Sequence, residues 1–313
     1  MAVAKKIKSK SWYVALFFAF CFFALLGFEL WEDSADEIEN YYVDQLLSRP
    51  PQNLNIKAIT RLQDVLKGKD AFRFAVLGDN RYNFGQLKKV LTAAAKDKPD
   101  FIIHTGDSTS SAKYHQYMKL LDSIEGYDIP MIFILGNHDI NNRGVACFLH
   151  IVGPSNFYFD INSYRFIFTD NALENTDPEF ARLPDDGHKT YSADRGIDDH
   201  KMRDLEKLIL GSEHNFIIMH LPPPVEPFRF HSFNKNGEHF IALMNRYSSR
   251  ISRVLCGHIH GYGVAESGEV KYIATGGAGA YLVSPKKGIM SKYNYVLVTV
   301  DKDKVTHQVN FID

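Results

Sequence analysis

The chain has 313 residues, with 36 basic against 37 acidic side chains and a formal net charge of −1. That balance excludes a nucleic-acid binder working through a broad basic field, but not a small phosphorylated ligand, which needs only local charge. An apolar share of 45% is enough for a sizeable core, and three cysteines are too few for a disulfide framework.

In chain order, Lys5, Lys6, Lys8 and Lys10 precede an uncharged apolar run from Trp12 to Phe28, and Glu29, Glu32, Asp33, Asp36 and Glu37 follow at once. A run of roughly 17 residues is at the short end for a membrane span. Positive charge before it and negative charge after it put the N-terminus in the cytoplasm. A cleaved signal needs small residues before the cut, yet for cuts near Ala24 or Gly27 that position holds Phe22 or Leu25. Residues 1–31 are therefore expected to form a basic cytoplasmic segment and a retained transmembrane anchor, leaving the rest periplasmic or extracellular. Residues 32–70 read as a helical stalk or linker: Ile38, Tyr41, Tyr42 and Leu46 make a weak helical stripe that Arg49-Pro50-Pro51 breaks, and Ile56, Ile59, Leu62, Val65 and Leu66 make a second one ending near Gly68. Such helices pack on their own domain in preference to a partner.

Residues 71–313 are predicted to form one α/β domain. Strands are expected at Phe72–Leu77, Phe101–Ile103 and Met131–Leu135, with helices at Phe84–Lys96 and Tyr114–Ile124 between them. A hairpin follows, Phe157–Ile161 and Tyr164–Thr169 about Asn162-Ser163, then a helix from about Asp198 to Leu210. Further strands are expected at Phe216–Met219, Arg253–Cys256, Tyr272–Ala274 and Tyr295–Val300. Strands alternating with helices early and strands alone late predict an α/β core with mixed sheets. Cys147 and Cys256 lie near core segments, which favours two buried thiols over a bridge.

Candidate ligands stand at the ends of these strands. Asp79 follows the first, Asp107 the second, Asn137 and His138 the third, His220 the fourth of the run, and His258 with His260 the fifth. In a parallel-type sheet the carboxyl ends gather on one edge, where ligands bind. One such aspartate is ordinarily a cap and one such histidine a structural residue; five donor-bearing ends together are a site. A glycine precedes four of the donors, at Gly78, Gly106, Gly136 and Gly257, and lets backbone approach a ligand closely.

The ordered set Gly78-Asp79, Gly106-Asp107, Gly136-Asn137-His138-Asp139, His220 and Gly257-His258-Ile259-His260 resembles the signature of the calcineurin-like metallophosphoesterases, over about Phe72 to Ala280. The resemblance implies a four-layer α/β/β/α sandwich with two mixed sheets and a dinuclear centre between them. It implies two divalent metal ions, with Asp107 bridging, Asn137, His220 and His258 completing one site, and Asp79 and His260 holding the other. Oxygen and imidazole donors without thiolate suit manganese, iron or zinc. Catalysis would then be attack on phosphorus by a hydroxide shared between the metals. His138 would protonate the leaving oxygen and Asp139 orient its ring.

One position departs from the family pattern. Its first motif reads Asp-x-His, and here it is Asp79-Asn80-Arg81. Arginine has no lone pair for a metal, so one site loses a protein ligand unless water or another residue, such as His104 or His115, replaces it. Arg81 is instead expected to clamp substrate phosphate, with a structural ion pair as the plainer role. Arg229 and His231, in the aromatic and proline-rich stretch from Leu221 to Asn236, are candidates for substrate binding, beside the turn-rich stretch from Asp170 to Gly196. The expected activity is hydrolysis of a phosphomonoester or phosphodiester, on a small-molecule or lipid substrate, with no nucleic-acid partner. Two rivals stand beside it: a pyrophosphatase acting on a lipid-linked or nucleotide substrate, and a catalytically inactive metal-binding scaffold of the same fold.

Overall fold

Alternation in the first strand decides the layering. In β1 (Ala71–Leu77), Phe72, Phe74 and Val76 point to one face and enter an apolar core between two sheets, while Ala75 and Leu77 are buried on the other face. The computed structural model describes residues 35–141, 143–172 and 195–313, with Phe17, Phe18 and Cys21. The chain divides into two compact units, residues 1–48 and 49–313. In the first, a helix α1 runs over residues 35–47. The rest of the anchor run, residues 12–28, lies outside the described residues. Among the described residues no helix is long and apolar enough to cross a membrane.

The second unit contains two mixed sheets. One has the order β12-β11-β1-β2-β3 and the other β10-β8-β9-β7-β6-β5-β4. In the first, β1, β2 (Phe101–His104) and β3 (Met131–Phe133) are parallel, while β11 (Tyr293–Asp301) and β12 (Lys304–Ile312) run antiparallel beside them. In the second, β5 (Tyr164–Phe168), β6 (His214–Ile218), β7 (Ile251–Cys256) and β9 (Val270–Thr275) are parallel. The strands β4 (Phe157–Ile161), β8 (Tyr262–Ser267) and β10 (Ile289–Met290) pair antiparallel at its flanks. The β4–β5 hairpin turns at Asn162, whose φ of 53° is what a two-residue hairpin turn demands.

Phenylalanines lock the two sheets together. Phe74 stacks on Phe101 at 5.0 Å within the first sheet, and Phe166 on Phe216 at 4.9 Å within the second. Phe74 meets Phe166 and Phe216 edge to face across the gap, at 5.4 and 5.2 Å. On the outer face of the second sheet, Ile217, Met219, Val254 and Tyr272 pack against Leu205 and Ile209 of α6 (Asp199–Leu210) and Phe240 and Met244 of α7 (Gly237–Arg246). On the first sheet's side, α3 (Phe84–Lys96) buries Leu87, Val90, Leu91 and Ala94, and starts with the Asn83 side chain accepting the Gln86 N–H. With α4 (Tyr114–Ile124) and α5 (Gly144–Ile151) this completes helices on both sides of paired sheets.

The helix α2 (Leu54–Val65), expected as part of a stalk, lies in the second unit. Its Ala58 and Leu62, with Leu66, join the core between the sheets, and Asn55 brackets Phe133 of β3 with two hydrogen bonds of 2.9 Å. The sequence reading missed α5, α7, β8, β10 and β12. The strand β12 is an edge whose exposed and half-buried residues alternate, so it has no apolar run to betray it. Cys147 and Cys256 are both buried and are not bridged to one another.

Phe74 contacts rings from both sheets and is fully buried, so Phe74→Ala should cost about 3–5 kcal/mol in urea unfolding. A loss below 1 kcal/mol would mean that this ring cluster does not hold the sheets together.

Candidate metal centre

The carboxyl ends of the parallel strands of both sheets converge. Asp79 follows β1, Asp107 follows β2, His220 follows β6 and His258 follows β7. Backbone clips hold the loops: Asp79 N–H donates to the Gly106 carbonyl, Arg81 N–H to that of Asp107 and Gly257 N–H to that of His220, each at 2.9 Å. Asp79, Arg81, Asp107 and His258 have φ of 60°, 49°, 53° and 65°. That left-handed conformation costs an ordinary residue about 1–3 kcal/mol, so the surrounding packing imposes it. A side chain at Gly136 would collide with the amide and carboxylate of Asp107, which explains the glycine there.

Three imidazoles share one arrangement. The Nδ1 of His220 lies 2.7 Å from the Thr105 carbonyl, that of His260 2.7 Å from the Tyr281 carbonyl, and that of His138 2.7 Å from the Ser110 carbonyl. A carbonyl only accepts, so each Nδ1 is assigned the proton, and each Nε2 presents a lone pair to the centre. For His220 that lone pair faces Asn137 Oδ1 at 3.1 Å and Asp107 Oδ1 at 3.4 Å. For His260 it faces Asp79 Oδ1 at 3.7 Å. Acceptors converging on acceptors are a place for a cation. The same inward Nε2 of His138 meets the Arg81 guanidinium, a donor only.

Burial sets the charge states. Asp79, Asp107 and Asp139 are all fully buried. Burial, with the charge of Asp107, pushes Asp79 well above the usual carboxylate range. Burial and the same Asp107 charge raise Asp139 to about 7. Burial would raise Asp107 as well, but the neighbouring His220 and His138 and the His138 amide bring it down to about 2. Burial holds His104 down at about 3 and, with the Arg81 charge, His260 at about 4; His220 and His258 are also lowered, chiefly by burial. Neutral imidazoles and an ionised Asp107 are the forms a metal needs.

Asp107, His220 and His258 form one group whose ligand atoms lie within 4.8 Å of one another, and Asp79, Asp107 and His260 form a second. Asp107 Oδ2 and His258 Nδ1 are buried without a hydrogen-bond partner. Oxygen and imidazole donors with orphaned lone pairs fit a divalent ion.

Asp139 is elsewhere than expected. It does not touch the His138 ring, which the Ser110 carbonyl orients. Its carboxylate accepts five hydrogen bonds, from the amides of Ser108, Thr109 and Gly136 and the hydroxyls of Ser108 and Thr109. It fastens the β2 and β3 loops together. Arg81 lies against the centre with its Nε 3.6 Å from Asp107 Oδ2, the plainer ion-pair role. His104 donates to Asn80 Oδ1 at 2.8 Å and accepts the Gly106 N–H at 3.3 Å, so both its nitrogens are used. His115 is exposed on α4, beside Tyr82.

A cavity of about 220 Å³ adjoins His258, lined by Arg195, Leu221, Phe230, His231, Ser232, Phe233 and Asn234. The His231 ring meets that of His258 edge to face at 5.4 Å, and Lys286 sits 3.5 Å over the Phe230 ring. Arg229 does not line it: its exposed guanidinium reaches Glu226 and Glu238 at 3.5 Å. Arg195 and Lys286 escaped sequence reasoning because neither belongs to a motif or a strand end.

The calcineurin-like phosphoesterase family model matches residues 72–262. No curated protein matches the chain. Among solved structures, a dimetal phosphatase from Danio rerio is similar with a TM-score of 0.59 at 12% identity, over 77% of this chain and 96% of that one. GAP50, described as the anchor in the inner membrane complex of Plasmodium, is similar at 0.57 and 14%, over 78% and 85%. A purple acid phosphatase from yellow lupin seeds is similar at 0.57 and 14%, over 77% of this chain and 51% of that one. At such identities the likeness is one of fold.

The imidazoles set an acid limit on the metal-free protein. Their folded-state affinity for protons lies below that of the unfolded chain, so the stability they contribute is complete above ~6.5 and lost as pH falls toward about 4 for His260 and about 3 for His104. The raised carboxyl of Asp139 acts oppositely, its contribution being lost as pH rises through about 7. Across pH 6.5 to 4.5 four lowered imidazoles outnumber the two raised carboxyls, Asp79 and Asp139, so melting of the chelated protein should fall over that interval. Equal melting temperatures at those two pH values would contradict buried neutral imidazoles.

Proposed function

The chain belongs to the calcineurin-like phosphoesterases, metal-dependent phosphoric ester hydrolases, and on that premise we propose that it cleaves a phosphomonoester or phosphodiester at the Asp107 centre, outside the cytoplasm, tethered by its N-terminal apolar run. The observation that carries the site is the set of inward Nε2 lone pairs of His220 and His260, aimed at buried carboxylate and amide oxygens. Asp107, Asn137, His220 and His258 would hold one divalent ion, and Asp79, Asp107 and His260 offer donors for another. A bound divalent ion supplies Lewis-acid charge for the phosphoryl oxygens and the attacking water.

The chain's own groups account for the remainder. The Ser110 carbonyl fixes the His138 ring so that Nε2 faces the reacting space. In the resting arrangement Arg81 donates to that nitrogen. A substrate phosphate that draws the guanidinium into a bidentate contact frees Nε2 to carry a proton and pass it to the leaving oxygen. His231 and Arg195, on the cavity beside His258, would receive the remainder of the substrate, with Phe230 and Phe233 as apolar walls. The extracytoplasmic placement is supported by the Lys5–Lys10 charges before the run and the acidic cluster after it. That placement also puts lipid-borne phosphates within reach.

A second reading rests on Arg81. A permanent guanidinium on Asp107 is also what a metal-binding scaffold without turnover would tolerate.

Hydrolysis of generic phosphomonoester and phosphodiester reporters by the full chain with manganese, against a chelator, separates the readings. Turnover should be metal-dependent and fall at least about 100-fold in Asn137→Ala. No turnover with manganese, iron or zinc from a folded protein would favour the scaffold. His231→Ala should raise KM roughly 10-fold with kcat little changed; an unchanged KM would remove His231 from the substrate path.

A further inference from the structure

The two donor groups around Asp107 are unequal, and Arg81 stands on the weaker side. On one side four donors converge: Asp107, His220 and His258, with Asn137 Oδ1 3.1 Å from His220 Nε2. On the other side are three, Asp79, Asp107 and His260. Both oxygens of Asp79 already accept the His258 amide, at 3.1 and 2.9 Å. The residues that might replace a missing donor are engaged elsewhere. Asn80 gives its amide to the Arg81 and Ser108 carbonyls and its oxygen to His104. Asp139 is saturated by its five donors. Meanwhile the guanidinium lies 3.6 Å from Asp107 Oδ2, the buried oxygen without a hydrogen bond.

We propose that Arg81 takes the electrostatic place of one metal ion, so that the protein binds a single divalent ion tightly on Asp107, Asn137, His220 and His258, and a second one only weakly. The inference rests on the phosphoesterase reading of the site and specifies its metal content. A guanidinium cannot ligate, repels a second cation from the shared carboxylate, and neutralises the charge that would otherwise recruit it. The centre is then a hybrid of one metal and one arginine, with the arginine able to swing between Asp107 and a phosphate.

Titration of the full chain with manganese, followed by calorimetry and by electron paramagnetic resonance, tests this without reference to turnover. One equivalent should bind tightly and the second at least about 100-fold more weakly, and the spectrum at two equivalents should lack spin coupling. Arg81→His should bring the second equivalent to comparable affinity, with a coupled signal. Should that variant not fold, Arg81→Leu removes the charge without adding a donor and should still strengthen the second ion. Wild-type binding of two ions within tenfold of each other overturns the proposal while leaving the phosphoesterase reading intact. A folded Arg81→His that still takes one ion also overturns it. Absence of tight manganese in both wild type and Arg81→His, together with no turnover on the reporters, overturns both.

Discussion

Three carboxylates shut away from water in one small volume are the constraint around which this centre is organised. Asp79, Asp107 and Asp139 each have no exposed surface, and burying unpaired charge is far more costly than any local strain. Each carboxylate meets the problem in its own way. Asp139 is wrapped by amides and hydroxyls of the β2 and β3 loops, Asp79 is capped by the His258 amide, and Asp107 meets the His138 amide, imidazoles and Arg81. Those requirements force Asp79, Asp107 and His258 into left-handed backbone conformations and demand a residue without a side chain at Gly136. The packing that meets those requirements imposes the strain at the strand ends.

Much of this was legible in the sequence, and the reason is physical. A buried strand must be apolar and must stop where the chain turns, so Phe72–Leu77, Phe101–Ile103 and Arg253–Cys256 announce both themselves and the polar residues that follow. The donor pattern is visible for the same reason: Asp79, Asp107, Asn137, His220, His258 and His260 all occupy strand ends, and strand ends meet. What was illegible depends on contacts distant in sequence. That Ser110 supplies the carbonyl behind His138, or that Asp139 ties loops together, follows from how two loops cross. The strand β12 escaped notice because half its face is wet, and α2 looked like a stalk because its apolar stripe is the same whether it packs on its own core or on another protein.

Arg81 shows how one residue can change what a shared framework means. The backbone at Arg81 is held by its own amide on the Asp107 carbonyl, a contact that involves no side chain. An imidazole there would add a lone pair to the centre, whereas the guanidinium adds donors and charge and reaches His138 as well as Asp107. A single position therefore couples the metal-binding groups to the group that would handle the proton.

The donors also divide by sheet. Asp79, Asp107 and Asn137 stand at the ends of strands of the five-stranded sheet, and His220, His258 and His260 come from the seven-stranded one. The two sheets share no strand; an apolar interface and a few loop contacts such as the His258 amide on Asp79 join them. An ion held by Asp107, His220 and His258 would thus draw ligands from both layers, and its loss would let the layers breathe against one another. Amide hydrogens at the carboxyl ends of β1, β2, β6 and β7 would then exchange as one group, tied to metal occupancy.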